Sequence, residues 1–372
     1  MRDIPFLQPS FPSPAEIVED YAAIMASGTF TNGGPREREF ASAISHWVGG
    51  DVRTVLTSSA TTGLQLACSA SCQSDRRWVL VPSFTFPAGP MAIRWCGYEP
   101  FFIDVDIDSW QMDPTGTAAV LRRGARDVAA ILLTPTFGVV NNAIGVWEAL
   151  AEHYGVPLLI DMAAGFGSTY LTGEPAGARG ACEVFSFHAT KTLAVGEGGA
   201  VVSRDHDLIE RIHRARNFGF DASRRIGGLG MNAKLAELPC AIGLRQLATL
   251  PRRLAHRRAL YDIYVDELRP LGLEFQPGGR ESALAFVPAL APGPAQRDVL
   301  VAGLGREGIG CRVYYNPPVH QQPFFSAAPT ETSLPITLDF ASRVISLPMS
   351  DFMTENTVRQ VVGVVADVLA HA

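Results

Sequence analysis

The sequence of 372 residues has little charge, and it lacks the patterns that mark several whole classes of protein. Only 18% of its residues are charged, which disfavours disorder over most of the chain. There is no basic excess, because 31 lysines and arginines against 37 aspartates and glutamates leave a net charge of −6. A nucleic-acid partner, which favours a basic surface, is therefore disfavoured.

Metal, membrane and export signals are also missing. The cysteines form no CxxC pair and no His/Cys cluster with zinc spacing, so no metal site is predicted. These cysteines are Cys68, Cys72, Cys96, Cys182, Cys240 and Cys311. No apolar run reaches the roughly 18 residues of a membrane helix, and the proline-rich N-terminal segment lacks a signal-peptide core. We therefore expect a cytoplasmic protein with free thiols.

What the sequence does contain is an alternation of short apolar runs and helical stretches between residues 52 and 203. The runs predict strands at Val52–Leu56, Trp78–Val81, Pro100–Val105, Ala129–Leu133, Pro157–Ile160, Cys182–Phe187 and Ala200–Ser203. The stretches predict helices at Thr61–Cys72, Ala88–Cys96 and Val146–Tyr154. Apolar strands separated by helices indicate an α/β fold, whose mostly parallel sheet is sandwiched by helices and binds ligands beyond the strand ends.

After residue 204 the pattern changes to longer helices, few strands and a glycine-rich loop at 218–231. The predicted helices are Asp205–Arg216, Lys234–Leu250, Arg252–Leu268, Gln296–Glu307 and a last one from Glu355 onward. The predicted strands are Leu273–Phe275, Ala283–Leu290 and Cys311–Tyr315. We therefore predict a large domain over residues 1–250 and a smaller α+β domain over residues 251–372.

The sharpest functional signal is the segment Ser186-Phe-His-Ala-Thr-Lys191, which spans the end of a predicted buried strand. It leads into Gly196-Glu-Gly-Gly199, a stretch that allows a tight turn. A loop lysine is usually a solvated surface residue. The alternative is a Schiff-base lysine, because partial burial favours the neutral amine that this chemistry needs.

Three further strand ends carry candidate binding residues. Asp161 is either a turn cap or a carboxylate that keeps the pyridine nitrogen of a cofactor protonated. The run Ser-Ser-Ala-Thr at residues 58–61 is either a helix cap or a phosphate site. Phe84 and Phe86 belong either to the core or to a surface that stacks on a flat ring, with Phe86 the better candidate. Together these strand ends indicate a cofactor site.

The combination resembles the sugar aminotransferases of the DegT/StrS type, which belong to the fold-type-I enzymes that use pyridoxal 5'-phosphate (PLP). Besides the lysine segment, three more segments are similar to this family and follow in the same order. They are Gly230-Met-Asn232-Ala-Lys234, Tyr315-Asn-Pro-Pro-Val-His320-Gln-Gln-Pro and Leu347-Pro-Met. The resemblance runs over nearly the whole chain.

The resemblance implies roles for the residues around the cofactor. Lys191 is similar to the catalytic lysine that holds PLP and shuttles a proton between substrate and cofactor. Asp161 is similar to the partner of the pyridine nitrogen. Ser186, Ala60 and Thr61 are similar to residues that contact the phosphate.

The remaining candidates concern ring stacking, assembly and substrate. Phe86 resembles the aromatic residue that stacks on the cofactor ring. Asn232 resembles an asparagine that reaches the phosphate of the neighbouring subunit, which implies a homodimer with shared active sites. His188, Lys234 and His320 are candidate substrate contacts, although a lone histidine is more often structural.

Three positions depart from the family pattern. Residue 164 is alanine, where many relatives have a glutamine near the cofactor hydroxyl, and alanine has no side-chain donor. Residue 60 is alanine where glycine is usual. Residue 234 is lysine rather than arginine, so a bidentate contact to a phosphate or carboxylate is lost.

The resemblance implies transfer of an amino group from glutamate or glutamine to a keto group of a sugar or sugar-like acceptor, in two half-reactions at one site. The acceptor is expected to be nucleotide-linked, although a cyclitol or another ketone suits the same residues. One alternative is a PLP-dependent sugar dehydratase or deoxygenase, in which histidine replaces the lysine, so Lys191 disfavours it. The other is a PLP-binding regulator without turnover, which the intact Lys191 and Asp161 disfavour.

Overall fold

Two β-sheets of unequal size organise the computed structural model, which describes residues 3–371. The larger sheet consists of β1 (Arg53–Thr57), β2 (Trp78–Pro82), β3 (Glu99–Ile103), β4 (Val128–Leu133), β5 (Leu158–Asp161), β6 (Cys182–Ser186) and β7 (Gly199–Ser203). Its strand order is β1-β7-β6-β5-β4-β2-β3, and β7 alone runs antiparallel to its neighbours. The prediction of a mostly parallel sheet is confirmed.

Helices cover both faces of the large sheet and surround the small one. They are α1 (Pro14–Ser27), α2 (Pro35–Val48), α3 (Ala60–Ser71), α4 (Ala88–Trp95), α5 (Pro114–Gly124), α6 (Ile144–Tyr154), α7 (His206–Ala215), α8 (Glu237–Leu268), α9 (Pro294–Arg306), α10 (Pro335–Arg343) and α11 (Glu355–Ala370). Within residues 3–371, none of them is long and apolar enough to cross a membrane.

The core of the large sheet lies in two layers. On one face, α2, α5, α6 and the first half of α8 pack around the fully buried Phe40 and Trp147. On the other face, α3, α4 and α7 pack around Leu64 and Ile93. Because a sheet covered on both faces needs continuous apolar strands, every residue of β4, Val-Ala-Ala-Ile-Leu-Leu, is buried.

The small sheet consists of β8 (Glu274–Phe275), β9 (Val287–Leu290) and β10 (Val344–Leu347), which pair antiparallel in the order β10-β9-β8. Helices α9, α10, α11 and the second half of α8 share its core. The C-terminal part therefore has α+β character. Helix α8 runs without a break through residue 250, and a domain division at that residue stays a prediction.

The two helices predicted on either side of Pro251 are wrong, because α8 is one helix of 32 residues that contains this proline. Each half of α8 is fixed by its own core. Cys240 and Leu250 are buried against the large sheet, whereas Leu260 and Tyr264 are buried beside the small one. Tertiary packing of both halves therefore outweighs the local cost of a helical proline.

The strand predicted at Cys311–Tyr315 is also wrong. Arg312 pairs with Ser346 of β10 in a single isolated bridge. The two tyrosines that follow pack on other aromatic rings instead. Tyr315 stacks on Phe137 with ring centroids 5.5 Å apart, and Tyr314 lies 5.7 Å from Phe286. These contacts direct the segment away from the sheet edge.

Gly199, the first residue of β7, sets how closely the large sheet approaches the start of α3. A Cβ atom at this position would lie 2.6 Å from the Ala60 nitrogen and 2.7 Å from the Ser59 carbonyl carbon. These are backbone atoms, which cannot move aside as the end of a flexible side chain can. A glycine is therefore required where β7 meets the first turn of α3.

We expect Gly199→Ala to lower the free energy of unfolding by about 1–3 kcal/mol, because the added methyl group overpacks this contact. Urea denaturation of the purified protein measures the change. Gly363→Ala is the matched control, since Gly363 lies inside α11 with no atom within 4 Å of an added Cβ. There alanine should stabilise the helix by about 1 kcal/mol. Equal stability of Gly199→Ala and the unmodified protein would contradict the steric argument.

Candidate active site

A cavity of about 410 Å³ lies at the C-terminal ends of β4, β5 and β6. The first turn of α3 forms part of its wall, and Leu7, Phe286 and Tyr315 close it from outside the large sheet. Seven of the ten residues that the resemblance assigns to the cofactor or the substrate line this cavity. They are Lys191, Asp161, Ser186, Phe86, Ala60, Thr61 and His188.

Lys191 and Asp161 form the charged centre of the cavity. Asp161 is the last residue of β5, and its Oδ1 accepts a hydrogen bond from the Ala163 nitrogen at 3.1 Å. Burial raises the pKa of Asp161 to about 6, while the Ala163 N–H and the charge of Lys191 oppose the shift. Burial lowers the pKa of Lys191, against the influence of Asp161. The carboxylate therefore favours a cationic partner, and the amine favours its neutral, nucleophilic form.

A hydrogen-bonded turn holds Lys191 in place. The backbone nitrogen of Lys191 donates to the His188 carbonyl at 2.9 Å, and the backbone nitrogen of Ala189 donates to the Gly196 carbonyl at 2.8 Å. Arg253 of α8 donates through Nη1 to the Thr192 carbonyl, one residue after the lysine. The turn is thus held by its own backbone hydrogen bonds and by the helix that joins the two cores.

The first turn of α3 and the end of β6 form an anion site. Ser59 caps α3, and its Oγ accepts a hydrogen bond from the Thr62 nitrogen at 3.2 Å. Since first-turn N–H groups have no partner within their helix, those of Ala60 and Thr61 are available at the cavity wall. The Ser186 hydroxyl lies on the same wall. Amides, helix dipole and hydroxyl together suit a phosphate group.

Aromatic side chains form one side of the cavity. Phe86 remains 59% exposed, and its ring centroid lies 6.5 Å from that of Tyr315. Phe84, two residues earlier, is fully buried against Phe137 and Phe340. Of the two phenylalanines, Phe86 alone therefore has a face open to a flat ligand.

His188 lies at the edge of the cavity with a fixed ring orientation. The Thr190 nitrogen donates to His188 Nδ1 at 3.2 Å, and the Thr190 hydroxyl lies 2.9 Å from the same atom. An Nδ1 that accepts from a backbone N–H carries no proton in the neutral ring, so the proton lies on Nε2. Nε2 faces Glu197 Oε1 at 3.6 Å.

Three of the candidate residues do not line this cavity in their own chain. Asn232 is exposed, and its Oδ1 accepts from Lys234 Nζ at 2.7 Å. Lys234 Nζ also donates to Asn217 Oδ1 at 2.9 Å. His320 Nδ1 lies 2.6 Å from the Ser83 hydroxyl, and burial lowers the pKa of this histidine. Substrate contacts by these side chains stay predictions.

Several lining residues were not singled out in the sequence. Among them are Leu7, Thr85, Thr134, Pro135, Phe137, Glu197, Phe286, Tyr314 and Tyr315. Thr134 had the same signal as Asp161, since each lies at the end of an apolar strand. Leu7 and Phe286 had none, because they reach the cavity only through tertiary packing of the N-terminal arm and the small sheet.

The chemical groups that line the cavity suit PLP and offer no site for a metal. Among residues 3–371, no three His, Cys, Asp or Glu side chains are arranged to hold a metal ion. The cavity combines a nucleophilic amine, a buried carboxylate, an anion site and an open aromatic face. These groups match the aldehyde, ring nitrogen, phosphate and ring face of PLP. Ala164 also lines the wall and offers no side-chain donor.

Known proteins resemble this chain over nearly its whole length. Protein Rv3402c of Mycobacterium tuberculosis (strain ATCC 25618 / H37Rv) is 43% identical over 369 residues, which cover 98% of this chain and 90% of that protein. A structure from Bacillus cereus ATCC 10987, provisionally described as a PLP-dependent aminotransferase, is 32% identical with a TM-score of 0.93. The alignment covers 98% of this chain and 100% of that chain.

A structure of DesI, solved in the presence of its TDP-sugar product, is also similar. It is 31% identical with a TM-score of 0.90, and the alignment covers 99% of this chain and 93% of that one. The sequence profile of the DegT/DnrJ/EryC1/StrS aminotransferase family matches residues 13–366. The chain therefore belongs to the DegT/DnrJ/EryC1/StrS aminotransferase family.

Proposed function

We propose that this aminotransferase uses PLP to move an amino group from L-glutamate or L-glutamine to the keto group of a nucleotide-linked sugar or a closely similar acceptor. The observation that carries the proposal is the convergence of Lys191, Asp161 and the first turn of α3 on one cavity. The structure of DesI with a TDP-sugar product supports the acceptor class.

PLP, when bound, supplies an electron sink that makes the α-proton of an amino acid acidic. Residues of the chain move the proton and hold the cofactor ring. Lys191 Nζ, whose pKa is lowered by burial, takes up the proton from the donor α-carbon and returns one to the carbon of the acceptor. Asp161 in its ionised form would keep a proton on the ring nitrogen, because its burial favours a cationic partner.

The proposed enzyme is a homodimer with shared active sites. Among the described lining residues of the cavity, Lys191 and His188 are the only basic side chains, and no arginine is present to bind a diphosphate group. The loop at 218–231 carries Ile226 at 70% and Leu229 at 83% exposure, together with Arg224 and Arg225. Exposed apolar side chains favour a protein contact. A second subunit that receives this loop would gain basic groups at its active site.

We expect the PLP-loaded protein to lose its visible absorption band when L-glutamate or L-glutamine is added without acceptor. One equivalent of the corresponding 2-oxo acid should appear per site, because the donor half-reaction runs to completion on the bound cofactor. Absorbance spectroscopy and quantification of the oxo acid measure both changes. The Lys191→Ala variant is the control and should release no oxo acid.

The two alternative functions predict different results in this experiment. A regulator without turnover would keep its absorption band and release no oxo acid with either donor. A sugar dehydratase or deoxygenase would release no oxo acid from the amino donor, but it would consume the sugar that it deoxygenates. Either pattern in the unmodified protein would contradict the proposed transaminase.

Mixed dimers test the shared site. We expect a dimer with Lys191→Ala on one chain and Asn232→Ala on the other to keep about half of the unmodified activity, because both lesions fall in one of two equivalent sites. With both lesions on one chain, Lys191→Ala inactivates that chain's site and Asn232→Ala weakens the partner's. Activity should then be lower. Differently tagged chains, co-expressed and purified by both tags, allow the comparison.

Equal activity of the two mixed dimers would show that Asn232 contributes to neither site. Higher activity with both lesions on one chain would show that Asn232 acts in its own chain. A fully active monomer in analytical ultracentrifugation would also remove the shared-site proposal. Each mixed dimer is the control for the other, because both contain the same two substitutions.

A further inference from the structure

Thr134 has a buried hydroxyl that no group of the chain satisfies. It directly follows β4 and lines the cavity, with 8% of the residue exposed. Its Oγ1 has no hydrogen-bond partner among residues 3–371. Of the described side chains with such an unpartnered buried atom, Thr134 alone lines this cavity. Because leaving a buried hydroxyl unpaired costs free energy, a ligand atom is its natural partner.

The register of the sheet places Thr134 beside Asp161. Strands β4 and β5 are parallel, and Leu133 pairs with Ile160. The next position along each strand is Thr134 and Asp161. Both side chains therefore emerge at the same edge of the sheet, and both line the cavity.

The anion site fixes which side of the ring faces Thr134. Ser186 ends β6, and strand order places β5 between β6 and β4. A PLP molecule with its ring nitrogen at Asp161 and its phosphate at Ser186 and α3 has its phosphate arm on the β6 side. In PLP, the ring carbons that carry the phosphate arm and the phenolic oxygen flank the ring carbon that carries the aldehyde. The phenolic oxygen therefore faces β4, where Thr134 lies.

We propose that Thr134 Oγ1 donates a hydrogen bond to the phenolic oxygen of PLP. The inference rests on the proposed function, because it requires the cofactor in this cavity. The neighbouring wall residues Pro135, Phe137 and Ala164 have no side-chain donor, so none of them can make this contact. Thr134 thus supplies the polar contact on the side of the ring where Ala164 offers none.

The hydrogen bond has a spectroscopic consequence. In the PLP-loaded protein, the phenolic oxygen and the nitrogen of Lys191 share one proton, and loss of that proton changes the visible spectrum. A donor aimed at the oxygen stabilises its anionic form and so lowers the affinity of the chromophore for the proton. Removal of the donor should raise the pH at which the spectrum changes.

The test compares Thr134→Val, Thr134→Ser and Thr136→Val as PLP-loaded proteins. Thr136 is the matched control, because its hydroxyl is also buried without a partner but does not line the cavity. Neither valine variant loses a hydrogen bond within the chain, so both should fold, which thermal unfolding of the cofactor-free proteins checks. Spectrophotometric pH titration and cofactor-binding titration are the readouts.

We expect Thr134→Val to raise the spectroscopic pKa by about one unit and to weaken cofactor binding roughly tenfold. Thr134→Ser, which keeps the hydroxyl, and Thr136→Val should titrate like the unmodified protein. An unchanged spectroscopic pKa and cofactor affinity in Thr134→Val would overturn the inference. If the unmodified protein forms no visible chromophore with PLP, the proposed function fails, which separates the two outcomes.

Discussion

The site depends on two oppositely charged groups that are buried together at the edge of a sheet. Burial raises the pKa of Asp161 to about 6 and lowers that of Lys191, while each charge partly offsets the shift of the other. Exclusion of water favours the neutral form of Lys191 but disfavours the ionised form of Asp161. Asp161 therefore needs a cationic group beside it, which the ring of bound PLP would supply. The rest of the structure can be understood as the support that this arrangement needs.

That support comes from both cores. Parallel strands bring Asp161, Ser186 and Thr134 to one edge, and Gly199 lets β7 approach the first turn of α3 closely enough to complete the anion site. The opposite wall comes from the N-terminal arm and from the segment that follows Arg312, which place Leu7 and Tyr315 over the cavity. Helix α8 connects the two parts and is bonded to the lysine turn through Arg253, so their relative position and the lysine geometry are linked.

Sequence reasoning located the strands of the large sheet and the residues at their ends, because continuous apolar runs and the polar residue after them are local signals. It missed α1, α2, α5 and α10, although each begins at a proline, which is a favoured first residue of a helix. It could not find Phe286, which directly precedes β9, or Tyr314, because tertiary packing sets their place in the cavity. The orphaned hydroxyl of Thr134 also becomes visible only when its surroundings are known.

The most direct test of the account is reductive trapping of PLP, and the sequence makes it clean because Lys191 and Lys234 are its only lysines. The PLP-loaded protein is treated with borohydride, digested and analysed by peptide mass spectrometry, with Lys191→Ala and Lys234→Ala as matched variants. The expected result is one pyridoxyl-phosphate adduct on Lys191, retained in Lys234→Ala and absent from Lys191→Ala. An adduct on Lys234 alone, or none on either lysine, would contradict the assignment of the cavity as the active site.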